Sequence, residues 1–144
     1  MKKLTSTFSI NQKPKSDDLI VSINAKKEIL FNKKTKTFFH ALPKKYERAY
    51  KIFEQNDVSI FLVEEIAELN ENLEYYAKRH LYPHLDEDSL TLISRAFQIY
   101  DWIYMQKFCA RTGNQLSEVK DDLSKFCTSC ERDYFPKMSP CILV

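Results

Sequence analysis

A single glycine, Gly113, in 144 residues limits what this chain can fold into more than any other feature. Phosphate-cradling loops, dinucleotide-binding turns and the Walker lysine loop all need glycine where backbone must approach a ligand closely. Nucleotide chemistry through those routes is therefore excluded. Tight β-hairpins lean on Asn-Gly or Asp-Gly pairs, so a turn-rich β sandwich or barrel is not expected either. Hydrophobic residues at 44% and charged residues at 29% give a globular composition, and the length suits one domain with a core of its own. The expectation is a mainly all-α fold: a compact bundle of four to five helices, a lysine-rich N-terminal segment that can also form a short strand, and an extended C-terminal tail.

Hydrophobic spacing divides the chain into three parts within that single domain. Residues 1–42 form a basic, partly ordered segment in which Leu19 to Ile23 suits either a helix face or a strand. Residues 43–130 read as the helical core. Tyr46, Ala49, Tyr50 and Phe53 recur at i, i+3, i+4, i+7 behind Pro43, and Leu62, Ile66, Leu69, Leu73 and Tyr76 make a bundle-type seam. Asp86-Glu87-Asp88-Ser89 supplies the acidic start of a helix running to about Arg111, with Gly113 as its left-handed stop. A last helix spans about Asn114 to Cys127. Residues 131–144 form the tail, extended by Pro136 and Pro140. No internal repeat is evident.

Charge is uneven along the chain. Residues 1–51 hold 13 Lys+Arg against 4 Asp+Glu, and the rest hold 9 against 16. A basic third of this kind suits an anionic surface, or complements the acidic remainder within the fold. No apolar run reaches the roughly 20 residues of a membrane span, and no apolar h-region of the kind a signal peptide requires follows Lys2 and Lys3. Four cysteines without an export signal point to a reducing compartment and a cytoplasmic protein.

The chain closes on Cys141-Ile142-Leu143-Val144, a cysteine followed by two aliphatics, the CaaX-like pattern read by prenyltransferases, although valine is an unusual last residue. Lipidation at Cys141 implies a non-enzymatic adaptor at the cytoplasmic face of a membrane. One prenyl chain anchors only marginally, so the basic N-terminal third has to help. Richness in lysine, asparagine and isoleucine suits an AT-rich genome. If that genome is bacterial or viral, the tail resembles those of secreted effectors that use a host's prenylation.

Two metal readings compete for other residues. Cys127 and Cys130 have the CxxC spacing that lets two thiolates chelate one tetrahedral zinc ion, with Cys109 and Cys141 flanking to complete a zinc-stabilised binding module. Cys141 cannot be both ligand and lipid anchor. Glu64, Glu65 and Glu68 in Glu64-Glu65-Ile66-Ala67-Glu68-Leu69 offer carboxylates for Mg²⁺. This hexapeptide resembles the opening helix motif of the all-α nucleotide pyrophosphohydrolases of the MazG and dimeric dUTPase type. That resemblance implies Mg²⁺-dependent hydrolysis, but the second helix of the motif has no counterpart in Ser89 to Arg95, and a solvated acidic face explains the glutamates as well. His40, His80 and His84 stand in no nucleophile-and-base pattern, and no catalytic residue or cofactor is assigned. The lysines beside Phe38 and Phe39 match no nucleic-acid module, so nucleic acid is not an expected partner.

Overall fold

Val58-Ser59-Ile60-Phe61-Leu62-Val63 is an apolar run rich in β-branched residues and broken only by Ser59, and it forms the central strand of a sheet rather than a helix. A computed structural model describes residues 4–137. Its main sheet contains β1 (Thr5–Ser9), β2 (Leu19–Ser22), β4 (His40–Ala41), β5 (Ala49–Gln55) and β6 (Val58–Val63), in the order β1-β5-β6-β2-β4. β6 runs parallel to β2 and antiparallel to β5. β3 (Glu28–Asn32) pairs with β7 (Leu73–Ala77) in a separate two-stranded ribbon. A short helix α1 (Lys78–Leu81), a 3₁₀ turn (Tyr82–His84) and the long helix α2 (Glu87–Tyr100) follow, and β8 (Lys125–Cys127) and β9 (Arg132–Tyr134) form a last hairpin.

The sheet is buried on both faces, which is why β2 and β6 read as near-continuous apolar runs, broken only by Ser22 and Ser59, instead of alternating ones. Val21, Ile52, Ile60 and Leu62 pack on one side against Leu92, Ile93, Ala96, Phe97 and Tyr100 of α2. Ile20, Phe61 and Val63 face the other side, under Leu42, Ala49 and Ile66. Asp18, buried, accepts hydrogen bonds from the backbone N–H of Lys15 (2.7 Å) and of Ser59 (2.9 Å), tying the start of β2 to the start of β6. Asp18 thus caps the turn that leads into β2.

The all-α bundle is corrected to a mixed α/β architecture, for identifiable reasons. Scarce glycine did not prevent tight turns. Asn56 and Asp57 both take positive φ (52° and 66°) in the two-residue connection from β5 to β6, the primed-turn conformation usually given to Asn-Gly. Left-handed backbone costs a non-glycine residue roughly 1–2 kcal/mol. Burying Ile60, Phe61, Leu62 and Val63 returns roughly 1.5–3 kcal/mol each, so packing wins. The stripe from Tyr46 to Phe53 also fits a strand, because a bulge between Lys51 and Phe53 shifts its period. Of the expected helices, the one starting at Asp86 does form: the Asp86 carboxylate accepts from Ser89 N–H at 2.8 Å, and Glu87 and Asp88 fill the first turn. It ends near residue 100 in a single π-type turn (Asp101–Met105) and does not continue to Arg111. No helix forms over 114–127.

Candidate metal centre

The turn that follows α2 also builds the site. Lys125 of β8 is buried, and its ammonium donates to the carbonyls of Trp102, Ile103 (3.3 Å) and Gln106 (2.9 Å) while lying 4.8 Å from the Trp102 ring centroid. Burial and then the charge of Lys107 lower its pKa to about 8, which leaves it protonated at neutral pH. A cation held on the last free carbonyls of a helix is well matched to the helix dipole. Trp102 in turn donates its indole N–H to Leu123 O at 2.6 Å. These contacts seat residues 106–134 against the end of α2, and Ile10 N–H to Asp121 (2.8 Å) ties the same segment to the end of β1. Trp102, Cys109, Leu116, Val119 and Cys127 share a small core with Tyr50 of β5.

Within this segment the chain makes the same hairpin twice. In the first, Leu116 N–H bonds Lys107 O, Phe108 bridges Gln115, and Cys109 N–H bonds Asn114 O. In the second, Lys125 pairs with Tyr134, Phe126 with Asp133, and Cys127 with Arg132. The register is identical after a shift of 18 residues, and so is the tripeptide that opens each hairpin: Lys107-Phe108-Cys109 and Lys125-Phe126-Cys127. Each turn closes on a left-handed residue four positions after its first cysteine, Gly113 (φ 74°) in one and Glu131 (φ 53°) in the other. The repeated tripeptide is an internal repeat, too short for a search at domain-repeat periods to catch.

Pairing the hairpins brings Cys109, Cys127 and Cys130 together, their sulfurs all within 4.8 Å of one another. Cys109 Sγ and Cys130 Sγ are 3.6 Å apart. A tetrahedral zinc with Zn–S bonds near 2.3 Å separates its sulfurs by about 3.8 Å, so the trio fits that ion. Cys109 and Cys127 are buried and Cys130 is half-buried. Tyr134 Oη lies 3.5 Å from Cys109 Sγ and 3.7 Å from Cys130 Sγ, and Thr112 Oγ1 lies 3.7 Å from Cys127 Sγ. Hydrogen bonds from Thr112 and then Tyr134 hold the Cys109 thiol well below its ordinary pKa. At Cys130 the Tyr134 hydroxyl also favours the thiolate, but burial and the neighbouring thiols Cys109 and Cys127 outweigh it and push the pKa up. Crowded thiols cannot all ionise unless a cation joins them.

The other candidate residues do not assemble. Glu64, Glu65 and Glu68 lie exposed on an irregular segment after β6, not on one helical face. Among the described residues, the cysteine trio is the one group of three or more His, Cys, Asp or Glu whose donor atoms converge. The MazG-type reading therefore loses the helix and the acidic cluster on which it depended. His40 is half-buried with its ring nitrogen 2.9 Å from Leu30 O, while His80 and His84 are exposed. Cys141, Ile142, Leu143 and Val144 lie outside the described residues. No helix among the described residues is long and apolar enough to cross a membrane.

No family model matches the chain. It is similar to curated proteins named NAD-capped RNA hydrolase NudC. That of Haemophilus influenzae (strain PittGG) is 30% identical over 97 residues, covering 67% of this chain and 36% of the relative. That of Photobacterium profundum is 30% identical over 71 residues, covering 49% of this chain and 26% of the relative. That of Klebsiella pneumoniae (MGH 78578) is 31% identical over 62 residues, covering 42% and 24%. The chain thus spans about a quarter to a third of the length of the curated relatives it matches. The likeness is to enzymes, which corrects the non-enzymatic, prenylated adaptor and effector reading. A cysteine before three aliphatic residues is also an ordinary apolar run, and a four-residue pattern carries little against a likeness of this length.

Proposed function

We propose that this chain serves a hydrolase acting on NAD-capped RNA, and that residues 106–134 are its zinc-held module. The zinc part rests on one observation: three sulfurs converging within 4.8 Å on two hairpins of identical register. The hydrolase part rests on the likeness to the NudC proteins. On this reading Cys109, Cys127 and Cys130 bind the ion, and Tyr134 orients two of the sulfurs. The ion's work is structural, since three thiolates leave zinc with a net negative charge and make it a weak Lewis acid. Opening an NAD cap by hydrolysis calls instead for oxygen-held cations of the Mg²⁺ kind. Among the described residues no carboxylates converge to hold one, so the module supports the reaction rather than performing it. An RNA is the partner this reading requires.

The test uses purified protein with 5′-NAD-capped RNA and the same RNA bearing a 5′-triphosphate, in the presence of Mg²⁺ or Mn²⁺. Tighter binding of the capped RNA is the expected result, and loss of the cap would show that the chain also carries out the hydrolysis. Absence of both cap loss and any preference for the capped RNA overturns the hydrolase reading. Elemental analysis tests the metal separately: about one zinc per chain is expected, lost in the Cys127→Ser Cys130→Ser double variant.

A further inference from the structure

We infer that the fourth corner of this metal site belongs to Thr112 and solvent, making it a three-sulfur site with one exchangeable position. The inference rests on the zinc reading above and deepens it. The two hairpins are equivalent position by position: Cys109 matches Cys127, and the left-handed Gly113 matches the left-handed Glu131. By the same register, the residue matching Cys130 is Thr112. Two equivalent turns should present four donors to one ion, and this chain presents three thiols and a hydroxyl.

The distances agree with that assignment. A Zn–S bond near 2.3 Å and a Zn–O bond near 2.1 Å at the tetrahedral angle separate oxygen from sulfur by about 3.6 Å. Thr112 Oγ1 stands 3.7 Å from Cys127 Sγ. Thr112 is also exposed, whereas Cys109 and Cys127 are buried, so water reaches the corner that Thr112 occupies. A neutral hydroxyl is a weak zinc donor beside a thiolate. It shares the position with water, which a small thiol added to the solution replaces. Binding of Zn²⁺ releases the proton of each thiol that still carries one, and the filled site holds three thiolate charges against two on the metal.

Cobalt(II) reports the donor set directly, because sulfur-to-metal charge-transfer absorbance grows with the number of Co–S bonds. The full chain loaded with Co²⁺ is compared with its Thr112→Cys and Cys141→Ser variants. The expected result is a three-sulfur spectrum unchanged by Cys141→Ser, raised by roughly a third in Thr112→Cys, with zinc held at least about tenfold more tightly by that variant. Titrating 2-mercaptoethanol should shift the wild-type spectrum and leave Thr112→Cys unmoved. X-ray absorption at the zinc edge of the wild type, with three sulfurs and one oxygen expected, decides the matter if Thr112→Cys does not fold. A four-sulfur wild-type spectrum that falls in Cys141→Ser overturns the inference and leaves the zinc reading standing. Failure of both wild type and Thr112→Cys to bind any metal overturns the two together.

Discussion

Lys125 joins β8 to the turn after α2, which lies about twenty residues earlier in the chain. Its ammonium donates to three carbonyls in the turn that follows α2, the buried one of Trp102 and the part-buried ones of Ile103 and Gln106. Lys125→Met keeps the stem but leaves those carbonyls without a donor, and a buried unsatisfied polar group is costly. We expect a loss of about 2–4 kcal/mol, read as a lower urea midpoint at unchanged slope. Nothing local in the sequence marks this residue, because its acceptors lie about twenty positions earlier. The cysteines are different. A CxxC with a third cysteine 18 residues before it already names the donors, and three of the four candidates do converge. Thr112 carries no such signal, because a lone threonine is not a usual metal-ligating residue type. The repeated Lys-Phe-Cys was the signal that could have found it.

At the level of elements, the chain makes turns with residues poorly suited to them. Among the described residues, Lys27, Lys36, Asn56, Asp57, Leu123 and Glu131 all adopt positive φ without being glycine. The β5–β6 hairpin shows how this is tolerated: its flanking strands bury enough apolar surface to hold the turn in place. Asp57→Gly relieves one left-handed residue and should stabilise the protein by about 0.5–1 kcal/mol, once the added freedom of the unfolded chain is counted. Thermal unfolding measures this, and a lower melting temperature would contradict the turn assignment. The same elements show why helix was the natural reading of residues 43–63. Tyr50 and Phe53 satisfy a helical stripe as well as a bulged strand, and only pairing with Val58–Val63 distinguishes the two. In α2 the start was legible, since Asp86 is a local cap, but the end was not, since the turn beyond it is held by Lys125, distant in sequence.

Across the whole molecule, a sheet-and-helix support carries a small module whose own core is slight. Leu116, Val119 and two cysteines are most of its buried apolar residues, and it leans on Tyr50 and Trp102. A unit with so little to bury needs a staple, which the proposed zinc supplies. Removing zinc with a chelator should therefore speed amide exchange at least about tenfold at Cys109, Leu116 and Cys127, while Ile60 to Val63 in the central strand keep their protection. Uniform loss of protection, or none, would count against a metal-held module on an independent support. The sequence by itself determined what rests on neighbours a few residues apart: the cap and apolar face of α2, the CxxC thiols, and the exclusion of glycine-rich phosphate loops. Tertiary structure alone decided that residues 49–63 are strands, that α2 stops near residue 100, and that two hairpins close three thiols around one point. Each of those outcomes is set by burial and hydrogen bonding between residues distant in sequence, where gains of several kcal/mol outweigh local preferences of about one.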